Sequence, residues 1–398
     1  MGLKINQEKV NEQTAKTLVD LCPFKAISYA DGKLDISAAC RVCRMCVNKG
    51  PQGVITFEEE KIEEINKNDY KGICVYADFN GGGIHKVSFE LIGKARELAA
   101  VINQPVYAIL IGYNTKEAVD ELLSYGVDKV FVYEHEKLKN FDIERYANCF
   151  ADFIERIKPS SILVGATNLG RCLAPRVAAR FHTGLTADCT KLEMKPNSDL
   201  VQIRPAFGGN IMAQIVNPNH RPQFATVRYK IFDAPEKVKE IHGEVEKVEI
   251  KDEWLKSHNE VIWVEEKPKE VDISEADVIV AVGRGLKSKE DLKMVYELAD
   301  ELGAVVACSR PLVETNIFDT KHQIGLSGKT VKPKLLITLG ISGAIQFTSG
   351  MNNSECVIAI NSDKNAQIFD VANYGIVGDM YEIVPRLIEE IRKGKANV

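Results

Sequence analysis

From residue 72 onward the apolar residues gather into short runs at 72–79, 105–112, 129–133 and 161–167. Each run is rich in β-branched residues and too short for a helix. Between them lie stretches with helical spacing, such as 88–101 and 116–124. Strands alternating with helices predict a parallel sheet covered on its faces by helices. The rhythm then changes. Runs at 191–195, 200–207, 211–216 and 223–228 follow one another across turns, which predicts an antiparallel addition. The Glu- and Lys-rich stretch 234–272 reads as an edge strand, then an inter-domain connection and candidate hinge. A second α/β rhythm follows. Runs at 277–283, 304–309, 334–340 and 357–361 read as buried parallel strands, with helical patterns at 289–302 and 385–393, the make-up of a doubly wound sheet. The polar stretch 60–70 reads as a linker. The predicted class is therefore α/β: a small head at 1–65, a first α/β domain with its linker at 66–265, and a second α/β domain at 266–398.

Composition narrows the function classes. The 398 residues carry 51 Lys plus Arg against 56 Asp plus Glu, a net charge of −5. That balance argues against a general nucleic-acid backbone binder. No apolar run approaches ~18 residues, so no membrane span is expected. The start, MGLKINQEKVNEQTAKTL, lacks the apolar core of a signal peptide, and Asn6 stands where a myristoylation site needs Ser or Thr. The chain is read as cytoplasmic.

Ten cysteines in such a chain are not expected to form disulfides. Cys74, Cys149, Cys172, Cys189, Cys308 and Cys356 are scattered singly and read as small buried hydrophobes. The remaining four cluster. Cys40, Cys43 and Cys46 form C-x2-C-x2-C, and Cys22 stands before Pro23. In bacterial ferredoxin motifs the cysteine of the Cys-Pro pair ligates a different cluster from its neighbours, so Cys22 pairs with the downstream triplet. The upstream triplet and the downstream Cys-Pro of a second cluster are both missing; Gly50-Pro51 stands at the latter place. One complete ligand set for a [4Fe–4S] cluster remains. A zinc site and an inert cysteine group are the alternatives, although zinc favours paired C-x2-C units. Arg41, Arg44 and Lys49 would offset the cluster's negative charge, or are merely solvated.

The second candidate chemistry lies at the strand ends of the last domain. They read Gly283-Arg284-Gly285, Ser309-Arg310-Pro311, Gly340-Ile341-Ser342-Gly343-Ala344-Ile345-Gln346 and Asn361-Ser362-Asp363. Glycines there let a phosphate approach the backbone, and a helix starting near Ser342 would aim free amides at it. Arg284 and Arg310 add positive charge. None of these is G-x-G-x-x-G, so an ordinary NAD site is not indicated.

These residues resemble the α subunit of electron transfer flavoprotein. The resemblance covers about 330 residues. It rests on V-G-R-G-L, C-S-R-P-L-V, H-Q-I-G-L-S-G-K-T-V, G-I-S-G-A-I-Q, I-A-I-N-S-D and A-Q-I-F-D-V-A-N-Y-G-I-V-G-D between Val282 and Asp379. Gly165-Ala166-Thr167 and Thr183 to Cys189 add to it. The ferredoxin-like head is similar to that of anaerobic bacterial members that partner acyl-CoA dehydrogenase-like or lactate dehydrogenase subunits.

The resemblance implies one FAD in the C-terminal domain. Arg284 and Ser309 would meet its dinucleotide part, and Arg310 the isoalloxazine, where a fixed cation favours negative charge. Gln323, Ile324, Gly325, Leu326 and Ser327 would form the loop near flavin N5. Ser342, Gly343, Ala344, Ile345, Gln346 and Phe347 would cradle pyrophosphate and ribityl groups, and Asn361, Asn373 and Tyr374 the adenosine. Leu326-Ser327 replaces the family's frequent Gln-Thr, Phe347 a frequent His, and Asn373 a frequent Asp.

The function implied is a subunit not catalytic alone, within an NADH-dependent, electron-bifurcating acyl-CoA reductase complex of the caffeyl-CoA type. Electrons would come from the flavin of an electron transfer flavoprotein β subunit, bound as a heterodimer. They would pass through this chain's FAD to an acyl-CoA dehydrogenase-like subunit, while ferredoxin is reduced. The alternative is the same subunit in a lactate dehydrogenase complex. From other classes come a self-contained flavin reductase and a regulatory module holding AMP near Asn80-Gly81-Gly82-Gly83, a loop that also reads as a plain turn.

Overall fold

The computed structural model describes residues 2–58, 65–209, 211–265 and 272–396. It divides into two units, Met1–Glu64 and Ile65–Val398. The linker expected at 60–70 lies in part, at 60–64, outside the described residues, as does 266–271 at the end of the charged connection.

The first unit is built on a helix, Glu12–Leu21, and two antiparallel ribbons, Gly2–Ile5 with Ile55–Glu58 and Ile27–Ala30 with Lys33–Ile36. Asn11 starts the helix with a reciprocal cap: its side chain accepts from Thr14 N at 2.9 Å, and Thr14 Oγ1 accepts from Asn11 N at 2.9 Å. One face of the helix buries Ala15 and Leu18 against Ile27, Leu34, Val54 and Ile55.

The second unit holds two parallel sheets. The larger has seven strands in the order Glu244–Lys247, Lys129–Glu134, Val106–Gly112, Ile73–Ala77, Ser161–Gly165, Gln223–Val227, Leu185–Cys189. Alternate residues of each strand feed opposite faces. Ile73, Val75 and Ala77 pack under the helices Val87–Ile102 and Lys116–Ser124, while Cys74 and Tyr76 pack under Ile143–Ile157 and Asn168–Arg180. The antiparallel addition contains Lys191–Met194, Leu200–Ala206 and Ile211–Val216. Gln223–Val227 does not belong to it. All five of its residues are buried, and it runs parallel between Ser161–Gly165 and Leu185–Cys189. A continuously buried strand has no polar-out alternation, and an antiparallel ribbon with one wet face would need it. Ile211, Met212 and Ile215 face outward on the addition, and Phe207 at its turn is 82% exposed.

The smaller sheet has the order Val305–Cys308, Val278–Val282, Leu335–Leu339, Cys356–Asn361, Tyr374–Val377, all parallel. Its last strand, exposed throughout, was not foreseen. Leu292–Leu302 and Met380–Ala396 cover one face. The other face is covered mainly by loop and short-helix residues, among them Ile324, Val331, Phe347, Met351 and Ile368. The helix expected from Ser342 begins instead at Ile345 and ends at Thr348. Ile341 to Ala344 are loop, because Gly343 adopts φ +84°, outside the helical region. Four residues carry little macrodipole, so the amides of the loop, not a helix terminus, face that end of the sheet.

Among the scattered cysteines, Cys74, Cys149, Cys189 and Cys308 are buried, but Cys356 is half-buried and Cys172 exposed. Cys172 sits on the helix Asn168–Arg180, whose buried side is Gly170, Leu173, Ala174, Val177 and Ala178. Among the described residues no helix is long and apolar enough to cross a membrane.

The two sheets meet along a polar seam. Arg228 Nη2 donates to Leu326 O at 2.7 Å, Gln346 Nε2 to Gly208 O at 2.9 Å, and Asn353 Nδ2 to Lys230 O at 3.2 Å. Lys332 pairs with Asp233 and Lys86 with Glu275. Asp188 beside the seam is pushed up by burial, but Arg228 and Arg171 outweigh this and hold it below the usual carboxylate range.

Candidate functional site

The five-stranded sheet has the strand order 2-1-3-4-5, which opens a crevice beyond the carboxyl ends of its strands where the order reverses. A cleft of about 670 Å³ lies there. Four strand ends line it: Arg284 and Gly285 after the first, Ser309 and Arg310 after the second, Gly340 to Ser342 after the third, and Asn361 to Asp363 after the fourth. Two of these ends touch. Gly285 N donates to Gly340 O at 3.1 Å, and a Cβ on Gly285 would stand 2.8 Å from the Gly340 Cα. Glycine at both positions lets the backbones close the cleft floor.

Of the foreseen cofactor residues, Arg284, Ser309, Arg310, Gln323, Ile324, Ser327, Ser342, Ala344, Gln346, Phe347 and Asn361 line the cleft. Arg284 is exposed and has no acidic partner among the described residues. Arg310 Nε donates to Glu314 Oε1 at 2.8 Å. Ser309 is largely buried, and its N–H donates to Val282 O at 3.0 Å. Gln323 Nε2 donates to Ser327 Oγ at 2.7 Å. Phe347 is buried and gives an apolar wall. Beneath the second strand end, burial pushes the Cys308 thiol up to about 12, so it stays protonated and inert at neutral pH.

The others fall elsewhere. Gly325 and Gly343 support the loops from behind: a Cβ on Gly325 would stand 2.5 Å from Gln346 O, and one on Gly343 2.1 Å from Ile368 N. Leu326 turns toward a separate cavity beside Arg204 and Gly208, and Ile345 packs by Gly209. Asn373 is exposed and outside the cleft lining, and its Oδ1 accepts from Val357 N at 2.7 Å at the start of the neighbouring strand. Tyr374, 65% exposed, is on the edge strand and outside the cleft lining. Asn361 does line the cleft, but its amide staples the loop: Nδ2 donates to Ile341 O at 2.8 Å and Oδ1 accepts from Asp363 N at 2.9 Å.

Glu314 and Ala366 also line the cleft and were missed by sequence reasoning. Glu314 stands four residues after Arg310, a helical ion-pair spacing that could have found it. Ala366 carries no signal of its own.

This lining fits an elongated, partly aromatic anion such as FAD. It offers an uncommitted cation, loop amides held open by glycine, buried apolar walls and small hydroxyls.

In the first unit, Cys22, Cys40, Cys43 and Cys46 all line one small cavity, with Leu3, Pro23, Phe24, Ile27, Arg44 and Met45. The loop curls because Val42 and Arg44 adopt φ +51° and +59°. Two sulfurs already accept amide protons: Cys22 Sγ from Ala26 N at 3.3 Å and Cys40 Sγ from Val42 N at 3.4 Å. Burial pushes the Cys46 thiol up, and Cys40 and Cys43 beside it add to the shift. Among the described residues, no group of three or more His, Cys, Asp or Glu side chains is arranged to hold a metal ion. One zinc ion needs its thiolates within about 2.3 Å of a single point, whereas a cluster of four irons holds them apart around a larger body.

The turn at Asn80 to Gly83 is closed by Gly82 N donating to Asn80 Oδ1 at 3.1 Å. It borders a cavity of about 480 Å³ lined by Asp78, Asp272 and Glu275 as well as Arg171 and Lys329. Burial pushes the Asp78 carboxyl up, with Thr167 opposing. The cavity's three carboxylates are matched by three cations, Arg228 being the third, so the lining has no surplus positive charge for the phosphate of AMP.

The profile of the electron transfer flavoprotein domain matches residues 73–253, and that of the electron transfer flavoprotein FAD-binding domain matches 272–352. A subunit named lactate dehydrogenase (NAD(+),ferredoxin) subunit LctC, from Acetobacterium woodii, is 61% identical over 396 residues, covering 100% of this chain and 95% of its own length. The electron transfer flavoprotein subunit alpha of Megasphaera elsdenii is 46% identical, over 82% of this chain and 98% of its own. The acryloyl-CoA reductase electron transfer subunit beta of Anaerotignum propionicum is 39% identical, over 82% of this chain and 97% of its own.

Proposed function

Because the chain belongs to the electron transfer flavoprotein α-subunit family, we propose that it is the α-type subunit of a lactate dehydrogenase complex working with NAD and ferredoxin. It holds one FAD in the C-terminal cleft and one [4Fe–4S] cluster on Cys22, Cys40, Cys43 and Cys46. The division 1–65, 66–265 and 266–398 goes with this reading. One observation carries it. The Acetobacterium subunit matches the whole chain, whereas the Megasphaera and Anaerotignum subunits leave unmatched a share about the size of the N-terminal unit. The acyl-CoA reductase reading, placed first on sequence, therefore yields to the lactate reading.

FAD, when bound, supplies a carrier that exchanges electrons singly or in pairs, and the cluster supplies a one-electron carrier. The chain's own residues bind, orient and shield them. Arg284 and the Ser342–Ala344 loop attract the phosphates. Phe347 and Ile324 exclude water from one wall. Arg310, held through Nε by Glu314, keeps its remaining donors for the ligand. Ser327 offers a hydroxyl. Ferredoxin as acceptor and bifurcation through a β subunit belong to the same reading.

The test is anaerobic co-purification from the native host. One FAD and about four irons per chain, with a β-type subunit and a lactate-oxidising subunit, are expected. Cys43→Ala should remove the iron while leaving FAD. Co-purification with an acyl-CoA dehydrogenase-like chain, or iron unchanged in Cys43→Ala, would refute the corresponding half.

A further inference from the structure

Resting on the flavin reading above, we propose that Gln323 is a positioning residue whose amide fixes the direction in which Ser327 presents its hydroxyl proton to the cleft. Gln323 is only 5% exposed. Its backbone is held at both ends: N donates to Thr320 O at 3.1 Å, and O accepts from Lys329 N at 2.8 Å. It also forms a parallel bridge with Cys308 at the end of the second strand. A Cβ on Gly328 would stand 2.2 Å from Gln323 O, so the loop folds back tightly over the same residue. The side chain thus leaves a rigid point, and its Nε2 reaches Ser327 Oγ at 2.7 Å.

A hydroxyl has one proton and two acceptor lone pairs. The Gln323 amide occupies one lone pair. Among the described residues the Ser327 hydroxyl has no further partner, and Ser327 is exposed to the cleft. Its proton therefore points toward whatever lies there. A ring nitrogen of an oxidised flavin is an acceptor, and the same nitrogen becomes a donor once protonated. A hydroxyl fixed as donor favours the unprotonated ring, and Gln323 supplies that bias through Ser327.

The amide's polarity is what matters, so a near-isosteric carboxylate should be worse than an apolar residue. In Gln323→Glu the carboxylate accepts a hydrogen bond from the Ser327 hydroxyl, which then turns a lone pair to the cleft. In Gln323→Leu the hydroxyl is merely freed. The experiment uses the full chain with FAD as the probe. Dissociation constants come from quenching of flavin fluorescence, and midpoint potentials of bound FAD from dye-coupled titration, for Q323L, Q323E, S327A and both double variants. Circular dichroism checks the fold. Expected are FAD affinities about threefold weaker for Q323L and about tenfold for Q323E, with shifted potentials. Both losses should shrink to less than about twofold in the S327A background. Equal losses with and without the hydroxyl would overturn the inference while leaving the flavin site standing. A parent chain that takes up no FAD would overturn both.

Discussion

Gly343→Ala tests whether the cleft is shaped by backbone that only glycine can form. Gly343 has φ +84°, and an added Cβ would meet Ile368 N at 2.1 Å, Ile368 Cα at 2.4 Å and Gln367 C at 2.6 Å. The left-handed conformation alone costs an L-residue about 1–2 kcal/mol. The overlap with backbone cannot be relieved by turning a side chain, so the loop must shift. That shift breaks the 3.1 Å bond from Ile368 N to Ser342 O, worth roughly 1–3 kcal/mol where the groups are shielded. The sum is about 2–5 kcal/mol. Gly303→Ala is the control. Gly303 has φ +61° at the end of the helix Leu292–Leu302, with nothing within 4 Å of its added Cβ. It should lose only the conformational part, about 1–2 kcal/mol. Urea unfolding followed by circular dichroism measures both, and FAD affinity gives a second readout. Gly343→Ala should weaken FAD binding at least about tenfold, since Ser342 and Ala344 are displaced. Gly303→Ala should leave it alone. Equal stabilities for the two variants, or full FAD affinity in Gly343→Ala, would refute the reasoning.

Arg284→Ala should weaken FAD binding about tenfold with an unchanged unfolding curve, because an exposed cation contributes to the ligand and not to the core; calorimetric titration checks it. Arg221→Met should destabilise the first α/β domain by about 1–3 kcal/mol. The buried guanidinium donates to Asp199 at 2.7 Å and to the carbonyls of Ser198, Asn217 and His220, so its loss leaves those carbonyls without that donor, while Asp199 keeps Lys67 at 2.7 Å. Burial pushes Glu90 up to about 8, with Lys230 N opposing. Its folded value lies above its unfolded one, so the folded chain keeps a proton that the unfolded chain releases above about pH 4.5. Stability should fall as pH rises from there to about 8 and then level off. Glu90→Gln should flatten that slope in melting curves taken across the range, and an identical slope would exclude Glu90 as its source.

The alternation of apolar runs made both parallel sheets legible, because strands such as Ile73–Ala77 are buried on both faces and have to be continuously apolar. Two strands escaped for the opposite reason. Leu185–Cys189 and Tyr374–Val377 are sheet edges with half-wet or wet positions, so neither carries a continuous apolar run. The cleft was legible where glycines and arginines follow strands. At Asn361 and Asn373 the sequence shows polar side chains that read as ligand groups, and the fold adds that each amide also bonds backbone. What a side chain is already bonded to is a tertiary fact that residue type does not carry.

The polar seam sets a population. Its five named links are single hydrogen bonds or partly exposed ion pairs, each worth about 0.5 kcal/mol or slightly more. Together these five alone contribute roughly 2–4 kcal/mol, a bias of about thirty to several hundred to one toward the closed seam. A docking protein that makes two or three charge-assisted bonds to the uncovered faces would invert the ratio with no other source of energy.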